Sequence, residues 1–245
     1  MYFLAYSEQI GYIQNMDFLK SIEFASISDA IKTGVIDHHK LYEKGFIGTS
    51  KEKECFLISF DDSFIDSILD SVDTTYPLFF IRGANLAKAF LERNESFEGE
   101  GYFEFVYTGE KMNFELQDGF KMKKLDLSYF DIVRKNYHLA DDEYIKNRLD
   151  GGFVTGLFDN IDSLVGFVGE HYEGAMGMLE VMPEYRKRGY GTILEKQRIN
   201  QTLSEHRTPY CNVLYGNDAS LELQHKLGLK KTSLDTWWVW RREKS

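Results

Sequence analysis

The residues best suited to chemistry are Arg186-Lys187-Arg188-Gly189-Tyr190-Gly191, followed by Thr192. They open a helical pattern that runs from Gly189 towards Glu205, with Ile193, Leu194 and Leu203 able to share a buried side. The first N–H groups of a helix have no internal partner, and the helix dipole adds partial positive charge there. Such an end binds phosphate or pyrophosphate. Glycines at 189 and 191 remove Cβ atoms that would hold a phosphate away. Arg186, Lys187 and Arg188 bring charge to the same point. Taken alone, the run is also compatible with a basic surface loop before an ordinary helix. Rival phosphate motifs fail. Gly48-Thr49-Ser50-Lys51 is not a Walker loop. Gly189-Tyr190-Gly191 lacks the third glycine and the later acid of the dinucleotide fingerprint.

Such a loop has to be aimed by a strand and a helix, and the flanking sequence supplies both. Residues 177–181 read as a strand, and Met182-Pro183 leads into the loop. Before it, the spacing predicts a strand over 120–125, helices over 128–138 and 141–149, and strands over 153–158, 164–171 and 175–181. Tight turns at Asp159-Asn160-Ile161-Asp162 and Tyr172-Glu173-Gly174 make the last three an antiparallel meander. After the long helix come a strand over 210–214 and a short helix through Lys226. Asn217 or Asp218 caps that helix, and Gly228 fits its left-handed end. A strand over 236–240 closes the region. The order is that of a mixed α/β (α+β) sheet sandwiched by helices.

The first part of the chain is less legible. Helical spacing ends near Lys32, residues 41–47 and 54–60 suggest a hairpin, and 63–69 suggest a helix. A strand over 77–82, a helix over 85–93 and a strand over 102–107 follow. Thr108 to Asn113 is polar and reads as a linker. We therefore expect two α/β domains, residues 1–115 and 116–245, the first loosely echoing the second in element order.

Composition narrows the class. Of 245 residues, 43% are hydrophobic and 15% aromatic, enough for a packed core. The net charge of -10 opposes general nucleic-acid binding, which needs cationic surface. Cys55 and Cys211 show no zinc or redox spacing and read as buried thiols in a reducing, cytoplasmic setting. The start, Met1 to Tyr6 followed by Glu8, does not read as a signal peptide. No apolar run is long enough for a membrane span. His38-His39 has no further spaced ligands, so it reads as a surface loop and no metal is expected.

The Arg-x-x-Gly-x-Gly run after a strand and Val-x-Pro resembles the pyrophosphate loop of the Gcn5-related N-acetyltransferase (GNAT) superfamily. A second signature follows in order: Asn217-Asp218-Ala219-Ser220, then Lys226-Leu227-Gly228-Leu229. Gly174 to Val181 also resembles the matching strand of bacterial members and glycine N-acyltransferase-like relatives. The resemblance covers roughly residues 118 to 242. It implies a GNAT fold and direct transfer of an acetyl group from acetyl-CoA, as co-substrate, to an amine of a small molecule or protein. It implies donor contacts from Leu179, Val181, Arg186 to Thr192, Asn217 and Ser220, with the Leu179 N–H at the thioester carbonyl and Val181 pairing the pantetheine arm.

Two positions depart from the pattern. Where many members carry a tyrosine acid this chain has Gln224, and where many carry a glutamate it has Asn212. Glu180 then becomes the candidate base, with a surface or hydrogen-bonding carboxylate as its plainer reading. Tyr215 and Tyr190 are candidate proton donors or packing residues. His171 lines an acceptor pocket or merely ends a strand. A non-catalytic acyl-CoA-binding regulatory module is the alternative. The first domain has no pyrophosphate loop. If it is a degenerate GNAT-like copy, its expected job is to wall the acceptor cleft or to mediate homodimerisation.

Overall fold

The computed structural model describes residues 17–242, so the reading of Met1 to Glu8 lies outside the described residues. The first stretch runs α1 (Ala25–Thr33), β1 (Ile36–Tyr42), β2 (Gly45–Ser50), β3 (Glu54–Ser59), α2 (Ile65–Leu69), β4 (Leu78–Arg82), α3 (Ala84–Arg93) and β5 (Phe97–Val106). Then come β6 (Lys121–Lys124), α4 (Phe130–Asn136), α5 (Asp142–Asp150), β7 (Thr155–Phe158), β8 (Leu164–Glu170) and β9 (Met176–Val181). The chain finishes with α6 (Tyr190–Ser204), β10 (Tyr210–Leu214), α7 (Asp218–Lys226), β11 (Lys230–Lys231) and β12 (Thr236–Arg241). Two compact units result. One holds the residues through Val106, Asn212–Ser220 and those from Lys231 on. The other holds Tyr107–Cys211 and Leu221–Lys230.

In the first unit the strand order is β1-β2-β3-β4-β12-β5-β10, with Asn212 to Leu214 as this unit's share of β10. β3 and β4 pair in parallel, and β12 runs antiparallel to both β4 and β5. Both faces are covered, so β3 and β4 carry continuous apolar runs, Cys55 to Ile58 and Leu78 to Ile81, rather than alternating ones. Cys55, Leu57, Phe79 and Ile81 pack on one side with Phe90. Phe56, Ile58 and Phe80 pack on the other with Ile27 of α1.

Three expectations change here. The expected hairpin stands as β2 with β3, Gly45 opposite Ser59, but β1 adds a second one with Tyr42 opposite Gly45, so the stretch 41–47 contains a turn rather than one strand. The polar pair Glu43-Lys44 makes the reversal, and a side chain at 45 would lie 2.4 Å from Ile68 Cδ1. His38 and His39 stand on β1, not in a loop. The His39 ring stacks on Phe46, and His38 Nδ1 meets Asp37 at 3.1 Å. The strand 236–240 does not close a sheet with β6 to β9. As β12 it packs Trp238 against Phe80, with centroids 5.0 Å apart, and places Val239 in the core.

The second unit has an antiparallel sheet β6-β7-β8-β9, the meander read from the turns, with one further strand. Leu125, Val133, Ile145, Leu149 and Phe167 fill one side beneath α4 and α5, and Leu157, Val165, Tyr190 and Leu194 fill the other beneath α6. Gly166 lets α6 and β9 close in: a Cβ there would lie 2.9 Å from Leu194 Cδ1 and 2.5 Å from the Glu180 carbonyl oxygen. Asp141 caps α5 through the Tyr144 N–H, as its acidic start predicts.

Candidate functional site

β9 ends its sheet, and none of the described residues pairs with its outer edge as a strand. Its register shows a bulge. Phe167 faces Glu180 and Gly169 faces Gly177, so three steps on β9 answer two on β8. Met178 takes up the extra residue in the left-handed region, at φ 50°. Bulges re-aim side chains and gather beside active sites. The Met182 N–H donates to the Val165 carbonyl, so antiparallel alternation turns the N–H and C=O of Val181 outward. Leu179, two residues earlier, shares that direction. An extended ligand could add to this edge as a strand does.

The loop beyond β9 is held from below. Tyr185 donates to the Asp159 carboxylate at 2.6 Å, and that carboxylate also accepts the Ile161 and Ser163 N–H groups. These bonds, the tyrosine's first, hold Asp159 below the usual carboxylate range. Lys187 (φ 61°) and Gly189 (φ 86°) turn the backbone left-handed before α6. Alternating backbone hands of this kind direct successive N–H groups into one concavity. Among the described residues no backbone acceptor pairs with the N–H groups of Gly189, Tyr190, Gly191 or Thr192.

The two glycines differ. Gly189 has open space around it but a φ that side chains resist. Gly191 needs no unusual φ, and a Cβ there would meet only Val181 Cγ2, at 3.7 Å. Nothing in the fold asks for glycine at 191. Its bare backbone keeps clear the approach to the helix start.

Arg186, Lys187 and Arg188 are all exposed at this corner. Arg188 lies 5.8 Å from the Tyr185 ring centre. Arg186 turns back along β9: its Nε donates to the Val181 carbonyl at 2.9 Å, and a terminal nitrogen stands 3.7 Å from Glu180 Oε2. Tyr190 is buried, stacks on Phe120 and donates to Gln117 at 3.2 Å, so packing occupies it. Burial raises the Glu180 carboxyl above its ordinary value, while Arg186 and His138 pull it down. The second unit thus brings Leu179, Glu180, Val181 and residues 186–192 together.

Asn217, Ser220 and Tyr215 belong to the first unit. Asn217 caps α7 by accepting the Ser220 N–H at 3.2 Å. Tyr215 donates to Asp235 at 2.6 Å and packs on Phe103 and Trp237. Burial first, then Asp235, pushes its phenol up, so it keeps its proton. Asn212 on β10 has both side-chain polar atoms buried without a hydrogen-bond partner among the described residues.

Two groups escaped the sequence reading. The first is Glu195 of α6, buried and accepting from the buried Gln224 amide at 3.3 Å, while the Gln224 oxygen has no hydrogen-bond partner among the described residues. Burial pushes Glu195 up to about 7. Its signal was present: Glu195 lies beside Leu194 and shares a helical face with Ile199 and Thr202, an apolar stripe interrupted by an acid. The other is Tyr144, whose hydroxyl sits 2.5 Å from His171 Nδ1. Burial drives His171 down to about 4, so the ring that shares this bond is neutral. The ring occupies the space above Gly177, where a Cβ would lie 2.1 Å from Nε2. His171 is therefore a packed residue held against β9, with no register signal in the sequence to show it.

A raised folded pKa means that stabilisation is complete below the unfolded value, near 4.5, and is lost as pH rises through about 7. Glu195→Gln removes this cost and offers an N–H to the unsatisfied Gln224 oxygen. We expect the variant to melt several degrees above wild type at pH 8, on the order of 2 kcal/mol. The difference should shrink towards pH 4. Parallel melting curves across that range would contradict the buried-acid assignment.

Among the described residues the first unit shows no such corner. Its β3 is covered along the equivalent edge by β4, and the junction into α2 reads Phe60-Asp61-Asp62. Asp61 caps the following turn and pairs with Lys44 at 2.9 Å. Two acids there oppose a phosphate. Among the described residues no group of three or more His, Cys, Asp or Glu side chains could hold a metal, and no helix is long and apolar enough to cross a membrane.

A family model described as FR47-like protein matches residues 154–239. No curated protein matches the chain. Solved structures do. A Drosophila protein superposes with a TM-score of 0.66 at 14% identity, covering 82% of this chain and 75% of its own. A GCN5-related N-acetyltransferase from Kribbella flavida gives 0.59 at 10%, covering 91% and 98%. A GCN5-related N-acetyltransferase-like protein from Streptococcus suis gives 0.54 at 13%, covering 96% and 99%. The chain thus shares the fold of solved structures that include GCN5-related N-acetyltransferases, and its residues 154–239 match the FR47-like family model.

Proposed function

We propose that this chain transfers an acetyl group from acetyl-CoA to a primary amine of a small molecule or protein by direct attack. The observation that carries the reading is the β9–α6 corner. A free, bulged strand edge runs into a helix start whose Gly191 the fold itself does not require. The N–H groups of residues 189–192, with Arg186, Lys187 and Arg188, would hold the pyrophosphate. The outward N–H and C=O of Val181 would pair with the pantetheine amides. The Leu179 N–H would face the oxygen of the reacting carbonyl. Glu180, half-buried with its carboxyl raised, would take the proton of the attacking ammonium. Tyr215, which keeps its proton, is the candidate donor to the departing thiolate. It, Asn217 and Ser220 enter the site through the family resemblance alone. A cytoplasmic setting fits the two buried cysteines, neither of which forms a disulfide, and burial pushes the Cys55 thiol up to about 12. We also propose residues 1–115 as a degenerate GNAT-like domain with a role in dimerisation.

Calorimetric titration with acetyl-CoA, followed by free-thiol release with a panel of amines, tests the reading. Binding and turnover are expected. Failure of the wild type to bind any CoA would reject it. A second reading, a non-catalytic acyl-CoA-binding module, draws on Gln224, whose amide is committed to Glu195, and on the amide at Asn212. Tight binding without thiol release on any amine would favour it.

A further inference from the structure

Arg186 touches both halves of the corner at once. Its Nε donates to the Val181 carbonyl at 2.9 Å, and its terminal nitrogen lies 3.7 Å from Glu180. The carbonyl belongs to the strand edge that a pantetheine arm would use. The carboxylate belongs to the candidate base. The guanidinium itself stands in the basic loop, where a pyrophosphate would compete for it. One side chain therefore sits on two groups needed for transfer, and a third group, the donor's phosphates, attracts it more strongly. A guanidinium gains more from two phosphate charges in paired bonds than from one carboxylate at 3.7 Å, which is beyond hydrogen-bond length.

We propose that Arg186 is a latch that covers the Val181 carbonyl and holds Glu180 as a paired carboxylate until the donor's pyrophosphate draws the guanidinium away. This inference rests on the donor-site reading above and adds an order to it. Donor binding frees the strand edge and unpairs Glu180 in one movement, and the amine then meets a stronger base. Before the donor arrives, Glu180 is paired and an ammonium acceptor finds a poor proton acceptor. Besides Arg186, the charged group that acts on Glu180 is His138, from the segment after α4; Phe167, opposite on β8, carries no charge. Burial raises the carboxyl and Arg186 opposes it, so removing Arg186 has a defined sign: the Glu180 pKa rises. Arg186 is a positioning residue in this scheme.

The test follows the Glu180 carboxyl directly, by carbon-13 NMR of protein labelled at the glutamate side-chain carboxyl carbon. Glu180→Gln identifies the resonance. CoA, which has pyrophosphate but no acetyl group, is the probe. In wild type the Glu180 pKa should rise by roughly half a unit or more on saturation with CoA. In Arg186→Gln without CoA it should already stand near that raised value. Arg186→Lys should restore part of the lowering, since charge remains while the paired geometry is lost. Unchanged Glu180 titration in wild type saturated with CoA would overturn the latch while leaving the donor site intact. So would an Arg186→Gln protein whose Glu180 titrates as in wild type, a result that needs no ligand. Absence of CoA binding would instead reject the donor-site reading and the latch with it.

Discussion

Gly191→Ala should fold at least as well as wild type and bind CoA about tenfold or more weakly, a loss of at least ~1.4 kcal/mol. The two halves of this expectation have separate causes. A Cβ at 191 meets only Val181 Cγ2, at 3.7 Å, an ordinary contact. Alanine is also the better helix former, by up to about 1 kcal/mol in a helix interior and less in a first turn. Stability should therefore hold or rise slightly. The added methyl, however, stands at the N–H groups that a phosphate oxygen must approach to about 2.9 Å. Gly189→Ala supplies the contrast. Its φ of 86° strains any side chain, so that variant should lose on the order of 1 kcal/mol of stability as well as affinity. Thermal melts and CoA titrations on both proteins check this. A Gly191→Ala protein with wild-type affinity would remove the observation on which the donor site rests.

The second large effect lies far from that corner in sequence. Arg82→Met should destabilise the first unit by about 3–5 kcal/mol, read by urea unfolding. Arg82 and Glu104 are wholly buried, with Nη1 2.9 Å from Oε2. Arg82 also donates to the Thr236 and Thr232 hydroxyls and to the Glu23 carbonyl. Removing the arginine leaves a buried carboxylate with no counter-charge. Burial already raises Glu104 above its ordinary value, and losing Arg82 raises it further. The defect should therefore ease as pH falls and the carboxyl takes a proton. Adding Glu104→Leu should recover much of the loss, because the cost comes from the orphaned charge more than from the missing pair. A small, pH-independent effect of Arg82→Met would refute this account.

Local signals were sufficient for a large part of the chain. The turn residues around Asp159 and Gly174 delimit β7, β8 and β9. Asp141 and Asn217 cap their helices, and Gly228 takes its left-handed conformation at φ 76°. These features act within a few residues, and the sequence carries them openly. The loop at 186–191 was legible for the same reason. Charge, glycine and a helix start are neighbours in the chain as well as in space.

The sequence by itself determined where the β9–α6 corner stands and which strand leads into it. Only the tertiary structure decided which strands become partners and which side chains meet. The apolar run of β12 says that it is buried, and nothing in it names β4 and β5 as its neighbours. Arg82 meets Thr232 and Thr236, and Gln224 meets Glu195, across separations that no periodicity spans. The bulge at Met178 arises because a non-glycine residue accepts a left-handed φ when pairing with β8 demands it. Strand pairing and burial are settled by competition among all the apolar segments at once. A residue's own neighbours cannot report the outcome.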